Sequence, residues 1–255
     1  MAWNNSHGKF ITSPGMNRWL LLNCLLFFGF DRTYADAIFE SGPQKVSLLE
    51  LYTSEGCSSC PLAEDWIGQF RSDQRLWKQV VPVAFHVDYW DNLGWKDRFA
   101  KHSYTERQQS YTSAWDGSSV YTPEFVLDGK EWRGWFSGQT LPVGNNQSVG
   151  ELRVLLHADQ ADVTFKPSSG SDTCEVHFAP LAMQVESDVR AGENRGRKLE
   201  HQFVALEVVS AKLDHVNGAQ EAQVPLSLGD AKGLAVWVTR QGSLTPLQAT
   251  GGFIR

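Results

Sequence analysis

A Cys-Ser-Ser-Cys segment at residues 57–60 constrains the fold of this chain more than any other feature. The apolar run 46–53 precedes it, and the segment 61–67, which has helical spacing, follows it. This order is typical of a strand, a tight turn and a helix. The amino terminus of a helix has unpaired N–H groups and a dipole that favours negative charge, so a cysteine there loses its proton more readily. The segment therefore indicates thiol–disulfide chemistry at Cys57 and Cys60.

The remaining cysteines and the histidines have no metal-ligand spacing. A zinc knuckle needs a second Cys or His pair at short spacing, and none of the seven histidines pairs in this way. We therefore assign no metal ligand, and we expect no cofactor because the cysteine pair itself carries two electrons. Cys174 lies in a strand-like pattern and is interpreted as a buried, unreactive thiol, with an intermolecular disulfide as the alternative.

Residues 1–37 have the layout of a secretory signal peptide. Arg18 precedes an apolar run over 19–30 that is too short to span a bilayer comfortably, and small residues follow at Ala35 and Ala37. We expect cleavage near Ala35 to Ala37, with a retained amphiphilic anchor as the alternative. Such export predicts a secreted or periplasmic protein, in a compartment where disulfides persist, with no membrane association after cleavage.

The charge of the chain excludes nucleic acid as an expected partner. Without residues 1–35 the chain has 20 basic and 28 acidic residues, a formal charge of −8. It has no basic stripe, which is the usual footprint of nucleic-acid binding. The expected partner is instead a disulfide substrate, either a protein or a small thiol compound. The oligomeric state stays open.

Strands and helices alternate from about residue 45 to residue 157. The runs 46–53 and 80–87 are apolar on both faces, as in parallel strands covered on both sides. Between them, apolar residues recur at helical spacing, at Leu62, Ala63, Trp66, Ile67 and Phe70. A strand, a helix and a strand in this order form a right-handed crossover unit, whose functional edge lies at the carboxyl ends of the strands. Cys57 follows the first of these ends, and His86 and Asp88 mark the second.

A polar stretch up to about residue 111 is compatible with a helix, although its apolar periodicity is weak. Phe125 to Leu127 predict a strand that ends in a turn at Asp128-Gly129. Pro123 immediately before this strand is tolerated because no ladder donor is needed there.

The cysteine pair at the start of a helix, together with Thr122-Pro123 before a strand, resembles the thioredoxin superfamily. Within it, the segments 50–61, 85–97, 121–124 and 192–201 resemble a group of secreted, thioredoxin-like proteins classed as a domain of unknown function. The resemblance extends over most of residues 45 to 255. It is specific for the family and much less so for an activity, since that group lacks an established reaction.

The position of the cysteines and the resemblance together suggest roles for five residues. Cys57 is expected to be the exposed, attacking thiolate and Cys60 the more buried, resolving thiol. The resemblance implies a cis Thr122–Pro123 bond, with Pro123 facing Cys57 and Thr122 offering its N–H and C=O to a substrate. It also implies a buried carboxylate before the cysteines. Glu50 is its nearest equivalent, one residue further from Cys57 than usual, and an edge or solvent-facing glutamate is the alternative.

Four further residues near the strand ends each have a functional and a structural interpretation. Trp90 and Trp95 line a groove for a substrate, or they pack in the core. His86 assists proton transfer or binds a metal with the cysteines, or it only makes a hydrogen bond at a strand end. Asp88 is an accessory site residue or, more simply, a helix or turn cap.

Short strands with turn signals replace the helical pattern after residue 162, at 175–178, 206–209 and 233–239, and they suggest a β-sandwich. The sequence therefore predicts an α/β chain with a thioredoxin-like domain at 38–160 and a smaller β-rich domain at 161–255. The polar segment Gly192–Arg197 is a loop, or, by the resemblance, a polar surface that faces the cysteine site.

The leading interpretation is an exported thiol–disulfide oxidoreductase that exchanges disulfides through Cys57 and Cys60. One alternative is a non-catalytic secreted binding protein in which this disulfide is structural. The other is a copper-handling protein that uses Cys57, Cys60 and His86, because thiolate and imidazole suit copper ions.

Overall fold

Strands are the main elements of the computed structural model, which describes residues 37–157, 159–170 and 172–254. The helices are α1 (Cys60–Gly68) and α2 (His102–Ala114), with short 3-10 helices at Gln69–Ser72, Asp91–Leu93 and Gly134–Ser137. The first strands are β1 (Ala37–Glu40), β2 (Ser47–Thr53), β3 (Val80–His86), β4 (Glu124–Leu127), β5 (Lys130–Glu131), β6 (Gly150–His157), β7 (Gln160–Pro167) and β8 (Cys174–Ala182). They are followed by β9 (Val185–Asp188), β10 (Lys198–His201), β11 (Val204–Ala205), β12 (Val209–Lys212), β13 (Asp214–Val216), β14 (Ala219–Pro225), β15 (Gly233–Arg240) and β16 (Pro246–Phe253).

The predicted signal peptide lies outside the described residues, apart from Ala37. Among the residues that are described, neither helix has the length and hydropathy required to cross a membrane.

A nine-stranded sheet carries the cysteine turn, in the order β16-β15-β8-β11-β3-β2-β4-β5, with β12 also paired to β8. β2 and β3 are parallel and are connected through α1, so the predicted strand, helix and strand are confirmed. Every residue of these two strands is buried, as expected for strands covered on both faces. The mixed α/β class predicted from the sequence is also confirmed, with strands in several sheets.

A second sheet of five strands, in the order β1-β6-β7-β14-β13, packs against the nine-stranded sheet. Side chains alternate between two cores along β8 and β15. Phe178 and Val236 face the core shared with the five-stranded sheet, whereas Ala179 and Trp237 face the core shared with β2 and β3. The predicted sandwich lay within residues 161–255, whereas the five-stranded sheet also contains β1 and β6 of the first half.

The two predicted domains share these sheets. The predicted boundary between residues 160 and 161 falls in the hairpin of β6 and β7, which pair along their whole length. β11 pairs with β3, and β8 and then β15 follow β11 in the sheet on the side away from β3. Backbone pairing, a feature that local sequence patterns do not reveal, therefore joins the two halves.

Two local predictions differ from the structure. Ala63, Ile67 and Phe70 are buried as predicted, but Leu62 is 70% exposed because α1 buries a narrow stripe that Leu62 does not join. The strand expected at 206–209 begins only at Val209, because the chain bends between β11 and β12 as both pair with β8.

Helix α2 has a polar buried face, which explains its weak apolar periodicity. Gln108, fully buried, donates from Nε2 to the Tyr121 carbonyl at 2.7 Å and to Glu124 Oε2 at 2.6 Å. These bonds fix the segment that leads into Thr122-Pro123 and β4.

Candidate functional site

The cysteine turn lies at the carboxyl ends of β2 and β3. Within it, the Cys57 N–H donates to the Ser54 carbonyl at 3.2 Å, and the Cys60 N–H donates to the Cys57 carbonyl at 3.3 Å. A disulfide joins Cys57 to Cys60, whose Cα atoms are 5.4 Å apart, and α1 begins at Cys60. The copper-handling alternative needs thiolates, which these two sulfurs do not offer while they are bonded to each other.

Both cysteines are buried, with Cys57 only 1% exposed, so the prediction of an exposed Cys57 is wrong. We call Gly192–Arg197 the covering loop. Its Asn194, fully buried, donates from Nδ2 to the carbonyls of Glu55 at 2.9 Å and Cys57 at 2.8 Å. The Ser58 N–H donates to the Glu193 carboxylate at 2.9 Å. The loop thus lies on the cysteine turn, as the resemblance implied.

The covering loop connects β9 to β10, which form a separate two-stranded sheet. The Gly196 N–H donates to the Val189 carbonyl at 2.8 Å, and the Val189 N–H donates to the Arg197 carbonyl at 3.0 Å. Gly196 has a φ of +84°, a conformation that glycine adopts without a steric cost. These bonds close the loop at its base and hold Asn194 against the cysteine turn.

The Thr122–Pro123 peptide bond is cis, as predicted, and Pro123 is buried. Trp90 connects it to the cysteine turn. The indole Nε1 of Trp90 donates to Thr122 Oγ1 at 2.7 Å, and a Cβ on Gly56 would lie only 3.0 Å from the Trp90 Cβ. Trp90 therefore lies between Gly56, which precedes Cys57, and Thr122, which precedes Pro123. A direct contact of Pro123 with Cys57 stays a prediction.

Trp95 and Trp90 are both partly exposed and both use their indole N–H within the protein. The Trp95 Nε1 donates to Glu55 Oε2 at 2.6 Å. Trp90 also packs against the core shared with β2 and β3, which agrees with the core-packing alternative. The role of both side chains in substrate binding stays a prediction.

Glu50 is fully buried in β2, so the alternative of a solvent-facing glutamate is wrong. Arg107 donates to both of its carboxylate oxygens, from Nε at 2.7 Å and from Nη2 at 3.0 Å. The hydroxyls of Tyr52 and Tyr111 donate to it as well, at 2.9 and 2.6 Å. Burial alone would lower the pKa of Arg107, but the Glu50 carboxylate raises it well above the usual value. A role of Glu50 in proton transfer stays a prediction.

Five buried ionisable residues adjoin the cysteine turn and form what we call the buried polar cluster. They are Glu55, Glu64, His86, Asp97 and His201, each at most 5% exposed.

The buried polar cluster is joined by short contacts. His201 contacts Glu64 Oε2 through Nδ1, while its Nε2 lies 3.4 Å from Glu55 Oε1. His86 Nδ1 lies 2.7 Å from Asp97 Oδ2, and the two imidazole rings pack edge to face with centroids 5.2 Å apart. Asp97 Oδ2 also accepts the Glu55 N–H at 2.9 Å, which ties the cluster to the cysteine turn.

The charges of the cluster support one another. Burial alone would lower the pKa of His201, but the Glu64 and Glu55 carboxylates raise it to about 10. Burial opposes ionisation of Glu64 too, yet His201 lowers its pKa. In the same way Asp97 outweighs burial and raises the pKa of His86, and His86 lowers that of Asp97.

Sequence reasoning missed most of the buried polar cluster. His86 was a candidate, and its contact with Asp97 agrees with the interpretation of a hydrogen bond at a strand end. Asp97 and His201 lie within the segments that carried the resemblance, which was the available signal. Glu64 lies one helical turn after Cys60 and gave no signal, since a glutamate in a helix is usually exposed.

Cys174 is buried, as the simpler of its two interpretations holds. Asp88 accepts from the Thr105 hydroxyl at 2.6 Å and lies 2.9 Å from His102 Nδ1, so it contacts two side chains of α2, whereas the N-cap of α2 is Lys101. Cys174 is a free thiol, buried in the second core, and burial raises its pKa.

Replacing Glu124 by Gln is expected to stabilise the protein above pH 7 and to have little effect near pH 4. Burial raises the pKa of Glu124 to about 7, above the pKa of 4.5 that it has when unfolded. Ionisation of the buried carboxyl group therefore destabilises the folded state progressively as the pH rises from 4.5 to about 7. We expect a gain of about 1–3 kcal/mol at pH 8. Urea denaturation at both pH values measures it, with the exposed Glu151→Gln as control. Equal effects at both pH values would contradict this prediction.

The fold and the site define a mixed α/β protein with a disulfide at the start of a helix and a buried polar cluster beside it. Residues 48–239 match the family described as "Protein of unknown function (DUF1223)", and the chain belongs to this family. No curated protein matches the chain.

Two solved structures are similar to this one. The first is the crystal structure of protein AGR_C_4864 from Agrobacterium tumefaciens, with 24% identity and a TM-score of 0.59 over 84% of this chain and 96% of that chain. The second is HBP35 of Porphyromonas gingivalis, with 13% identity and a TM-score of 0.54 over 83% of this chain and 76% of that chain. At these identities the likeness concerns the fold alone.

Proposed function

We propose that this chain is an exported thiol–disulfide oxidoreductase, with a thioredoxin-like arrangement of β2, α1 and β3, that exchanges disulfides at Cys57–Cys60. The observation that carries the proposal is the disulfide itself, formed between two cysteines three residues apart where a buried parallel strand passes into a helix. A pair in this position can open and close without a change in the strands that hold it.

The exchange balances two electrons and two protons. A substrate thiolate attacks one sulfur of the Cys57–Cys60 disulfide, which breaks and leaves a mixed disulfide and one free thiolate. The second thiolate of the substrate attacks the mixed disulfide, so the substrate leaves oxidised. The two protons of the substrate thiols end on the reduced cysteines. The reverse sequence begins with the thiolate of Cys57 and reduces a substrate disulfide, with Cys60 as the resolving thiol.

Nearby groups support Cys57 as the attacking thiolate in the reduced state. The Ser59 hydroxyl lies 3.4 Å from Cys57 Sγ and is able to donate to a negative sulfur. Cys60 is fully buried at the first position of α1, where the sulfur is less accessible. The burial of Cys57 under the covering loop means that this loop has to move before a protein substrate reaches the sulfur.

The proposal is tested by exchange between the full chain and a dithiol peptide. We expect Cys57→Ser and Cys60→Ser to abolish turnover, and Cys60→Ser to trap a mixed disulfide through Cys57. Cys174→Ser, which changes the other described cysteine, is the matched control and should keep full activity.

The reduction potential of the pair distinguishes exchange from a structural role. A structural disulfide in a secreted protein usually has a potential below about −300 mV, and an exchanging pair a higher one. A reduction potential below this limit, together with the absence of turnover, would contradict the proposal. It would support the alternative of a binding protein with a structural disulfide.

A further inference from the structure

Three side chains from separate elements converge inside the buried polar cluster. Glu64 comes from α1, His86 from the end of β3 and His201 from the end of β10. Each offers one ligand atom, and these atoms all lie within 4.8 Å of one another. We propose that Glu64, His86 and His201 bind a divalent transition-metal cation with the ligand preference of zinc.

An unpaired nitrogen in the cluster points to a ligand. The Nε2 atom of His86 is fully buried and has no hydrogen-bond partner among the described residues, whereas that of His201 lies 3.4 Å from Glu55 Oε1. Buried polar side-chain atoms are nearly always paired, and leaving one unpaired costs about 1–3 kcal/mol. A cation coordinated by these rings would take the place of a proton on each of them, so its binding would release protons.

The groups around the two histidines orient them as ligands. Asp97 contacts His86 at Nδ1, which leaves Nε2 directed into the cluster. This pairing of a carboxylate with the far nitrogen of a histidine is common at metal centres, where it fixes the ring and raises its basicity. Glu55 Oε1 lies 3.4 Å from His201 Nε2, at the edge of the same site.

The balance of charge favours a cation. The carboxylates of Glu55, Glu64 and Asp97 are all buried, and the ion-pair partners that the described residues offer them are the imidazoles of His86 and His201. Ionised carboxylates removed from water are costly unless they are paired or coordinate a metal. A divalent ion would supply two positive charges at the centre of the cluster. Two protons on the histidines would supply the same charge, so the experiment has to distinguish these states.

The donor set selects the class of metal. Two imidazoles and one carboxylate occur in catalytic zinc sites and in non-haem iron sites, whereas magnesium and calcium prefer oxygen ligands. Phe99 packs edge to face on both histidine rings, with centroids 5.3 and 5.7 Å away, and forms a partly exposed wall of the site. A site of three protein ligands leaves a further coordination position for a small molecule.

The test is a titration of the chelator-treated full chain, kept oxidised, with Zn²⁺, Co²⁺ and Mg²⁺. We expect one equivalent of Zn²⁺ and of Co²⁺ to bind, and Mg²⁺ to fail. Bound Co²⁺ should show visible bands of a nitrogen and oxygen site without thiolate charge transfer. His86→Gln and His201→Gln are expected to weaken Zn²⁺ binding at least 100-fold, while the exposed His102→Gln is the matched control.

Two further variants keep the test decisive. Asp97→Asn should retain the ligands and weaken Zn²⁺ binding about 10–100-fold. If the histidine variants fail to fold, the melting temperature provides the test instead. Zn²⁺ should raise the melting temperature of the wild type, and it should raise that of Asp97→Asn by less. A Cys57→Ser/Cys60→Ser double variant should bind Zn²⁺ normally, which separates this site from the exchange reaction.

Three results would overturn the proposal. They are no Zn²⁺ or Co²⁺ binding by wild type, binding that is lost in the cysteine double variant, and binding unchanged in the folded His86→Gln and His201→Gln variants. In the first case the buried polar cluster is a protonated ion-pair network only.

Discussion

Replacing Arg107 by Met is expected to lower the free energy of unfolding by about 3–5 kcal/mol. The substitution leaves the fully buried Glu50 without the guanidinium that contacts both of its oxygens. An uncompensated charge in the core is costly, and the hydroxyls of Tyr52 and Tyr111 offset only part of that cost. Urea denaturation at pH 7 measures the change.

A double variant separates the charge effect from the loss of packing. Glu50→Gln/Arg107→Met removes both charges, so we expect it to recover much of the stability that Arg107→Met loses. Arg153→Met, at an ion pair with Glu40 in which both side chains are about half exposed, is the control and should cost about 0–1 kcal/mol. The single variant Glu50→Gln completes the comparison. If the stability losses of Glu50→Gln and Arg107→Met simply add up in the double variant, the Glu50–Arg107 interaction does not cause the loss in Arg107→Met.

Replacing Asn194 by Ala is expected to increase the rate at which a small thiol reduces Cys57–Cys60 by roughly tenfold or more. Asn194 makes two hydrogen bonds to the cysteine turn, each contributing about 1 kcal/mol, and a change of 1.4 kcal/mol in loop opening is a factor of ten. The measurement is the pseudo-first-order rate of disulfide reduction by dithiothreitol in folded protein.

The neighbouring Glu193 gives a graded comparison for this experiment. Glu193→Ala removes one exposed hydrogen bond to the Ser58 N–H and should increase the rate less than Asn194→Ala does. If Asn194→Ala leaves the reduction rate unchanged while the protein stays folded, the covering loop does not limit access to the disulfide.

The sequence predicted those parts of the fold that depend on local patterns. The apolar runs and the cysteine spacing located β2, α1 and β3, because burial on both faces and helical periodicity are visible in single segments. The cis bond before Pro123 came from the resemblance and is confirmed. The same local patterns wrongly predicted that Leu62 is buried. The apolar character of a residue does not show which side of a helix is covered by the rest of the fold.

The site was less predictable because its contacts join distant segments. Asn194 donates to the Cys57 carbonyl from 137 residues away, and Glu64 contacts His201 across the same separation. Glu50 could be placed in a buried strand, but nothing near it identified Arg107 as its partner. Pairings of this kind depend on how strands from the second half enter the sheet.

The insertion of β11 beside β3 has a consequence for the order of folding. β3 leaves the ribosome early but remains unpaired at one edge until residues 204–205 have been made, since β2 is one parallel neighbour of β3 and β11 is the other. The residue before β2 waits longer for its partner, because the Val46 N–H donates to the side chain of Gln248. Such a chain is dominated by contacts between distant residues, a topology that folds slowly and only once nearly all of it is present.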